Sequence, residues 1–438
     1  AFRLNNRLVA FEQFDIYLNR PDIIAQRIGK SPPQIIKAYL YLHKKRMRKQ
    51  KLKDSDLNLD FQIPNVKLNT DLDLVTEKET ETISITAWDE VYNIKRIHVY
   101  VNNVPIFGER GYVLKSKTKS IQKEFEVPLV IGENRIQFST VNTNGAESLY
   151  ETVDIIREGS TIKHDLYVLT IGVSEYQDER FKLTYPTKDA KDVMNKLGET
   201  SSMYRKIYPK MLLDEEVTTS NFAELKSFFA NCTHEDVAIV FIAGHGILDE
   251  KFNYYFGTYD IDFDKPKKKG LAYAEIHELL NSIKAYKKLL IMDTCHSGEL
   301  DEEEIEEAPD ADIIEGDIKF RSGLTGVRKK EGVGLDNSIN IVQEFFSDTR
   351  KGSGATVISS AGGAEYALES DRWKNGLFTY ALLSGLDNPE EVGNGDPFIT
   401  VSEIRSHVYT IVADLSKGKQ IPTAREENIS QDYIIFGN

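Results

Sequence analysis

Cysteine is scarce in this sequence: Cys232 and Cys295 are the only two in 438 residues. Two thiols cannot build the disulfide framework with which small secreted domains compensate for a limited core. The scarcity therefore excludes a disulfide-stabilised class and predicts a reducing, cytoplasmic location. It also makes the placement of Cys295 notable, because this residue stands three positions after the aliphatic run "LLIM" and just before a Ser-Gly pair.

Long hydrophobic runs are also missing. No apolar stretch approaches the 18 or more residues that a membrane-spanning helix needs. The first residues, "AFRLNNRLVAFEQ", contain neither the apolar core of a signal peptide nor an initial methionine. We therefore expect a fragment or processed product of a longer protein, without membrane association. A chain of this length is expected to form two or three domains.

Basic residues are absent from one segment. Between Glu299 and Asp317 there are eleven acidic residues and no basic ones, so this segment carries eleven of the fourteen net negative charges. The acidity therefore does not describe the whole surface. The opposite bias occurs at 44–53, where seven of ten residues are Lys or Arg. Because no aromatic residues are interleaved, we interpret it as a solvated helix end, and nucleic acid as an unlikely partner.

Three patterns follow one another along the chain. Residues 1–62 carry apolar positions at helical spacing and predict a short helical N-terminal segment with a linker. From 63 to 158 the period changes to two, with turn residues between alternating stretches, which predicts a small all-β sandwich. This sandwich resembles bacterial immunoglobulin-like modules and carries no catalytic pattern, so we interpret it as a spacer or docking domain.

Residues 165–438 predict a different architecture. Continuous apolar runs such as "LYVLTIGVSEY", "VAIVFIAGHG" and "KKLLIMDTCHSG" alternate with helical stretches. Unbroken aliphatic strands between helices are typical of an α/β domain with a largely parallel sheet covered on both faces. Functional groups in such sheets gather at the carboxyl ends of the strands. His245 and Cys295 each stand at such an end, 50 residues apart.

A thiol and an imidazole at neighbouring strand ends suit nucleophilic catalysis. A histidine can deprotonate the thiol, whose thiolate is a strong nucleophile, and can later protonate a leaving amine. Glycines on both sides of His245 permit close backbone approach and leave an N–H to point at a substrate oxygen. A strand-end cysteine alone is more often a small buried hydrophobic residue, and the paired histidine argues against that alternative.

The motifs "FIAGHG" (241–246) and "DTCHSG" (293–298) resemble those of caspase-like cysteine peptidases of clan CD, and the metacaspase branch most closely. The segments "YPTKDAKDVMNKL", "GLFTYALLSGL" and "GKQIPTAREENISQDYIIF" extend the resemblance over 165–438. A histidine about 50 residues before the cysteine is the spacing known for caspases. The resemblance implies a caspase-like α/β fold and a cysteine endopeptidase. Ala243 departs from the serine common in metacaspases, so the pocket wall is expected to differ.

The resemblance also implies the roles of individual residues. Cys295 would be the nucleophile and His245 the general base and acid, with the backbone N–H groups of Gly246 and Cys295 as the oxyanion hole. Asp293 and Asp189 would line the pocket for the side chain before the cleaved bond, the P1 residue. Two carboxylates favour a cation, best of all a guanidinium. Cleavage after Arg or Lys is therefore expected.

No metal or cofactor is predicted. Cys232 and His234 supply two ligands where a zinc site needs four. An EF-hand in 388–404 is rejected because, with Glu403 at position twelve, Pro397 would take the place of the required glycine. Whether scattered carboxylates confer the calcium activation of some metacaspases stays open at the level of sequence.

A long loop, 299–350, separates Cys295 from the next predicted strand at Gly354. Its acidic part cannot form a core and is predicted to be mobile. We interpret it either as a solvated insertion or as a mask over a cation-binding pocket. In this family the loop separates the large and small subunits, and we expect self-processing within 318–351. The candidate P1 residues are Arg321, Arg328, Lys329 and Lys330.

Protein substrates are the expected partners, and an activating or regulatory domain or protein upstream is a further candidate. The alternative function is a catalytically silent caspase-like scaffold that acts by binding. The presence of Cys295, His245 and Asp293 argues against it, since a silent member of such a family usually loses one of them.

Overall fold

The chain divides into two compact units, Ala1–Ile162 with Asp348–Gly354 and Lys163–Ser347 with Ala355–Asn438. Residues 352–354 thus group with the first unit although they lie between segments of the second along the chain. The computed structural model describes residues 2–4, 7–9, 18–31, 33–49, 62–159, 163–249, 253–294, 318–320, 352–360, 367–424 and 432–437.

The first unit begins with two short strands and two helices. Strands β1 (Phe2–Leu4) and β2 (Arg7–Val9) pair antiparallel. Helices α1 (Pro21–Ile28) and α2 (Pro33–Lys49) follow, and α1 ends at Gly29 in the left-handed conformation. The remaining strands are β3 (Asn65–Leu68), β4 (Val75–Thr76), β5 (Thr80–Trp88), β6 (Ile94–Val101), β7 (Val104–Pro105), β8 (Tyr112–Thr118), β9 (Ser120–Pro128), β10 (Gly132–Asn142) and β11 (Glu151–Arg157).

Strands β3 to β11 form two sheets. One has the order β3-β5-β9, and the other β4-β11-β10-β6-β7 with β8 on β6. Alternate residues are buried, such as Ile83 and Ile85 on β5, as the period of two in the sequence predicts. Phe125 of β9 and Phe138 of β10 approach with ring centroids 6.3 Å apart, so the two sheets share one apolar core.

The second unit alternates strands and helices. Its helices are α3 (Pro186–Glu199), α4 (Thr219–Phe228), α5 (Tyr273–Ser282), α6 (Leu377–Asp387) and α7 (Val401–Leu415). Its strands are β12 (Asp165–Gly172), β13 (Lys206–Leu213), β14 (Val237–Gly244), β15 (Gly246–Leu248), β16 (Tyr254–Phe256), β17 (Leu271–Ala272), β18 (Lys287–Thr294), β19 (Ile318–Phe320), β20 (Thr356–Ser359), β21 (Leu368–Ser370), β22 (Asn375–Gly376), β23 (Phe398–Thr400), β24 (Thr423–Ala424) and β25 (Ile434–Gly437).

The main sheet of this unit has the order β13-β12-β14-β18-β20-β24. The neighbouring pairs from β13 to β20 are parallel, and only β20 and β24 are antiparallel. This arrangement confirms the largely parallel sheet predicted from the unbroken aliphatic runs. Every residue of β14 is buried, because both faces of a parallel sheet are covered.

Helices cover both faces of the main sheet. Helices α3, α6 and α7 pack on the face that includes Phe241, while α4 and α5 pack on the face that includes Val240. Each fully buried apolar side chain stabilises the fold by about 1.5–3 kcal/mol relative to an exposed one. Within the described ranges, no helix is long and apolar enough to cross a membrane.

Smaller sheets flank the main one: β15-β16-β17, β19-β21-β22 and β23-β25. Strand β19 falls inside the loop that the sequence predicts to be mobile, and it pairs antiparallel with β21. Periodicity does not predict this strand, because three residues are too few to show a period. The rest of 299–350 lies outside the described residues.

Lys288 is a buried lysine at the start of β18. It is 2% exposed, and its Nζ donates to the carbonyl oxygens of Leu280 and Ile283 near the C-terminal end of α5, at 3.3 and 3.2 Å. Burial lowers the pKa of Lys288 from 10.5 to about 7. The nearby thiol of Cys232 shifts in the opposite direction, because burial disfavours its charged form.

Removing this amine should change how stability depends on pH. The folded-state pKa of Lys288 is depressed, so between pH 7 and 10.5 the unfolded chain binds more protons and the free energy of unfolding rises with pH. Lys288 alone raises the free energy of unfolding by at most about 1.4 kcal/mol per pH unit in this range. Chemical denaturation at pH 7 and 9 should show this rise in the wild type and its loss in Lys288→Met. Exposed Lys268→Met should behave as the wild type, and equal pH slopes in all three proteins would contradict the assignment.

Candidate active site

Two neighbouring strands of the main sheet end where the sequence predicts the chemistry. Strands β14 and β18 pair in parallel, and Gly244 lies opposite Thr294 at the end of the pairing. His245 follows Gly244 along the chain, and Cys295 follows Thr294. Because these two parallel strands are neighbours, the residues that follow them, His245 and Cys295, leave the sheet at the same edge. Cys295 itself lies outside the described residues.

The imidazole of His245 is oriented by a backbone carbonyl. Its Nε2 lies 2.9 Å from the oxygen of Phe181. Because a carbonyl oxygen only accepts, Nε2 carries the hydrogen, and Nδ1 is the basic nitrogen of the neutral ring. The rings of Tyr176, Phe181 and Phe263 surround the imidazole at centroid distances of 5.1, 6.2 and 5.5 Å. His245 is thus 2% exposed and fixed in one tautomer.

The backbone around His245 is equally constrained. The N–H of His245 donates to Oη of Tyr176 at 2.9 Å. Gly244 has a φ of 150°, and a Cβ there would lie 3.0 Å from both Tyr176 Oη and the ring of Phe256. Glycine is therefore required at this position. Gly246, the predicted oxyanion-hole residue, begins β15 and lies opposite Phe256.

The sequence does not identify Tyr176 or Phe181 as site residues. Both follow the end of β12, which is the neighbour of β14 in the sheet. Position after a buried strand is the only signal they carry. Phe181 contacts the imidazole nitrogen through its backbone oxygen, which every residue type possesses, so its identity could not have revealed the contact.

Asp293 is fully buried at the carboxyl end of β18. It lies opposite Ala243 in the register of β14 and β18. Thr379 of α6 donates its hydroxyl hydrogen to Oδ2 of Asp293 at 2.6 Å. This short bond to a carboxylate is of the charge-assisted kind and holds the side chain in one orientation.

Asp189 is also fully buried, in the first turn of α3. Its Oδ1 accepts hydrogen bonds from the side-chain amide of Asn375 at 2.9 Å and from the N–H of Gly376 at 3.2 Å. A carboxylate is favoured at a helix N-terminus. Asp189 therefore links the start of α3 to the segment that leads into α6.

A third buried carboxylate, Glu369, is not predicted from the sequence. It lies on β21, is 3% exposed, and accepts a hydrogen bond at Oε1 from the N–H of Thr184 at 3.2 Å. It stands opposite Gly376 in the register of β21 and β22. Its sequence context, "YALESDR", is too short and polar to indicate burial, because three strand residues show no period.

The phenol of Tyr185 lies near these buried carboxylates, and its pKa is raised. Its hydroxyl donates to Oδ1 of Asp371. Burial, this hydrogen bond and the charges of Asp371, Glu369 and Asp189 raise the pKa of Tyr185 to about 12. A negative charge on the phenol oxygen is disfavoured beside several carboxylates, so the phenol stays neutral.

Three buried carboxylates lie near the start of α6. Gly376, the N-cap of α6, donates to Asp189 and lies opposite Glu369, and Thr379, one turn later, donates to Asp293. Residues three apart on a helix lie about 5–6 Å from each other. The positive end of the helix dipole favours negative charge at this position. The donors in these bonds are all neutral, so no described hydrogen bond pairs these carboxylates with a cation.

The other predicted site residues cannot be placed. Arg321, Arg328, Lys329 and Lys330, the candidates for self-processing, lie outside the described residues, as does the oxyanion-hole N–H of Cys295.

No group of three or more His, Cys, Asp or Glu residues is arranged to hold a metal in the part of the chain that the structure describes. Cys232 is buried, and burial raises the pKa of its thiol to about 12. The ring of His234 packs against Tyr286 with centroids 4.9 Å apart. Glu403 completes the capping box of α7, accepting from the N–H of Thr400 at 2.9 Å.

The family model of the caspase domain, peptidase family C14, matches residues 166–434, which is more than half of the chain. No curated protein matches the sequence significantly. A solved structure from Geobacter sulfurreducens is 16% identical over 60% of this chain and 92% of that chain, with a TM-score of 0.41. Caspase-1 from Spodoptera frugiperda is 12% identical over 63% of this chain and 91% of that chain, with a TM-score of 0.35. The family-model match, over most of the second unit, shows the family. The chain therefore belongs to the caspase domain family of cysteine peptidases.

Proposed function

We propose that the protein is an endopeptidase that cleaves proteins after Arg or Lys through Cys295 and His245, as its metacaspase-like motifs imply. The observation that carries the proposal is that the carboxylates of Asp189 and Asp293 both accept hydrogen bonds from the start of α6, where Glu369 lies opposite the N-cap Gly376. Each carboxylate is at most 3% exposed, and Asp293 stands two residues before the nucleophile. Carboxylates in this position favour a cationic P1 side chain and repel an acidic one.

The reaction would proceed in two stages. Nδ1 of His245 takes the proton of the Cys295 thiol, and the thiolate attacks the carbonyl carbon of the P1 residue. The N–H groups of Gly246 and Cys295 donate to the oxygen that becomes negative. His245 then protonates the leaving amine as the C–N bond breaks. Water, activated by His245, hydrolyses the thioester and regenerates the thiol. The carbonyl of Phe181 keeps the imidazole in the tautomer with a basic Nδ1, which these reaction steps require.

Fluorogenic peptides that end in Arg or Asp would test the proposal, each with and without calcium. We expect the Arg peptide to be cleaved with a kcat/KM about a hundredfold or more higher, because a pocket built for a charged group strongly rejects the wrong one. Preference for the Asp peptide would refute the pocket. No turnover of either peptide under any condition would favour the silent scaffold instead.

We also propose self-processing within 318–351, supported by the basic residues that a protease of this specificity would accept in that loop.

For the rest of the chain we propose an immunoglobulin-like module in the first unit, which serves as a spacer or docking domain of a cytoplasmic protein. Its two-sheet core and the scarcity of cysteine support these assignments.

A further inference from the structure

Asp214 directly follows β13 and has an uncommon backbone conformation. Strand β13 pairs in parallel with β12, and Leu213 lies opposite Gly172 at the end of the pairing. Asp214 therefore leaves the sheet at the same edge as the loop that follows β12. Its φ of 45° lies in the left-handed region, where aspartate and asparagine are enriched among the residues other than glycine. The backbone thus restricts the residue type at this position.

The carboxylate of Asp214 binds the start of the loop that follows β12. Its Oδ1 accepts hydrogen bonds from the N–H groups of Ser174 and Glu175, each at 2.9 Å. The same oxygen accepts from the hydroxyl of Thr187, in the first turn of α3, at 2.9 Å. The N–H of Thr187 in turn donates to Oγ of Ser174 at 3.0 Å. One carboxylate oxygen therefore joins the end of β13, this loop and the start of α3.

The same loop holds the imidazole of His245. The N–H of Leu183 donates to the oxygen of Ser174 at 2.9 Å and closes the loop at its base. Between these two residues lie Tyr176, whose Oη accepts from the N–H of His245, and Phe181, whose oxygen lies 2.9 Å from Nε2. Both contacts come from the loop, so the position of its base sets where the imidazole lies.

Tyr176 is packed too tightly to absorb a shift of the loop. A Cβ on Gly244 would lie 3.0 Å from Oη of Tyr176, and one on Gly257 would lie 3.2 Å from its ring. The N–H of Gly257 also donates to the oxygen of His245 at 2.8 Å. A displacement of Tyr176 is therefore passed on to the backbone of His245.

We propose that Asp214 is a positioning residue for the peptidase reaction and acts on His245 through the loop 174–183. The inference rests on the proposed function, because it concerns the histidine of the proposed pair. Hydrogen bonds to a carboxylate are about twice as strong as neutral ones, so an oxygen with three donors is a firm anchor for the loop. A catalytic group that is misplaced by about 1 Å can lower the rate about a hundredfold.

Kinetics with an Arg peptide test the role of the carboxylate. Asp214→Gly removes the acceptor without straining the backbone, because glycine adopts a positive φ freely. We expect kcat to fall at least about tenfold with little change in KM, since the P1 pocket is untouched. Asp214→Asn keeps an accepting oxygen and should retain most of kcat. Glu215→Gly, at the exposed next residue, should behave as the wild type, and a wild-type kcat in Asp214→Gly would overturn the inference.

Tyr176→Phe tests the transmitting contact in a variant that keeps the ring. It removes the hydroxyl oxygen that accepts from the N–H of His245, and it should lower kcat in the same way as Asp214→Gly. Circular dichroism and thermal denaturation check that both variants are folded. If Asp214→Gly does not fold, Tyr176→Phe decides the question, and a wild-type kcat in that variant would overturn the inference.

A measurement without turnover separates this inference from the proposed function. In protein with isotopically labelled histidine, the Nε2–H of His245 should give a proton–nitrogen signal, because burial and its bond to Phe181 slow exchange with water. His245→Ala identifies this signal by its loss. The signal should weaken or shift in Asp214→Gly and persist in Asp214→Asn. An unchanged signal in Asp214→Gly would overturn the inference, whereas a changed signal in a protein whose wild type hydrolyses no peptide would count against the proposed function alone.

Discussion

Replacing Cys295 with Ala is expected to abolish peptide hydrolysis without unfolding the protein. The substitution removes the nucleophile, and the hydroxyl of Thr294, the last residue of β18, is engaged by Tyr254 at 2.9 Å. His245→Ala should lower kcat/KM by about a thousandfold or more, since general acid–base catalysis contributes about 10²–10⁴. The double variant should be no worse than the single ones, because residues that act as one unit are not additive.

The second cysteine supplies a matched control. Cys232 is 1% exposed, and burial raises the pKa of its thiol to about 12, so it is not a reactive thiolate near neutral pH. Cys232→Ala should therefore keep peptide hydrolysis and remain sensitive to iodoacetamide, whereas Cys295→Ala should show neither. Circular dichroism and thermal denaturation check that each variant is folded. Unchanged turnover in Cys295→Ala or His245→Ala would refute the peptidase proposal.

Asp293→Asn is expected to have the second-largest effect, and on substrate choice as much as on rate. An asparagine oxygen can still accept from the hydroxyl of Thr379, so the main change is the loss of negative charge. Breaking a buried charge pair by removing one partner costs about 3–5 kcal/mol, which equals roughly two to four decades in kcat/KM for an Arg peptide. The loss should be much smaller for a peptide with Gln at P1.

A charge elsewhere on the same unit provides the comparison. Glu199→Gln removes an exposed carboxylate at the end of α3, which also carries Asp189, and it should leave the preference for Arg unchanged. Glu369→Gln should lower the preference for Arg over Gln peptides in the same direction as Asp293→Asn. If Asp293→Asn hydrolyses the Arg peptide at the wild-type rate, the carboxylates do not form the P1 pocket.

The layers of the second unit follow directly from hydrophobic pattern. A run such as "VAIVFIAG" is apolar at every position, and only a strand covered on both faces buries all of it. The same reasoning places His245 after β14 and Cys295 after β18, because the runs end there. Alternation in the first unit likewise predicts strands with one buried side, and β5 and β9 follow it.

Other strands could not be predicted from the sequence. Two-residue and three-residue strands such as β19 and β21 exist because a neighbour supplies the hydrogen bonds. Their own side chains show no period that could reveal them. The stretch "AEIHELLNSIKAYK" (274–287) predicts a helix that runs on to Lys287, whereas the structure ends α5 at Ser282. The buried amine of Lys288 bonds the carbonyls of Leu280 and Ile283 at that end.

By itself, the sequence determined the two kinds of architecture, the strand ends and the residue types needed for a thiol peptidase. The tertiary structure alone decided which groups surround them. Glu369 accepts a hydrogen bond from the N–H of Thr184, 185 residues earlier in the chain, and Asp293 accepts one from the hydroxyl of Thr379, 86 residues later. Periodicity shows which side of an element is buried, since each face repeats locally, but it does not show what lies opposite. That partner is chosen by strand order and register, which depend on contacts between distant segments.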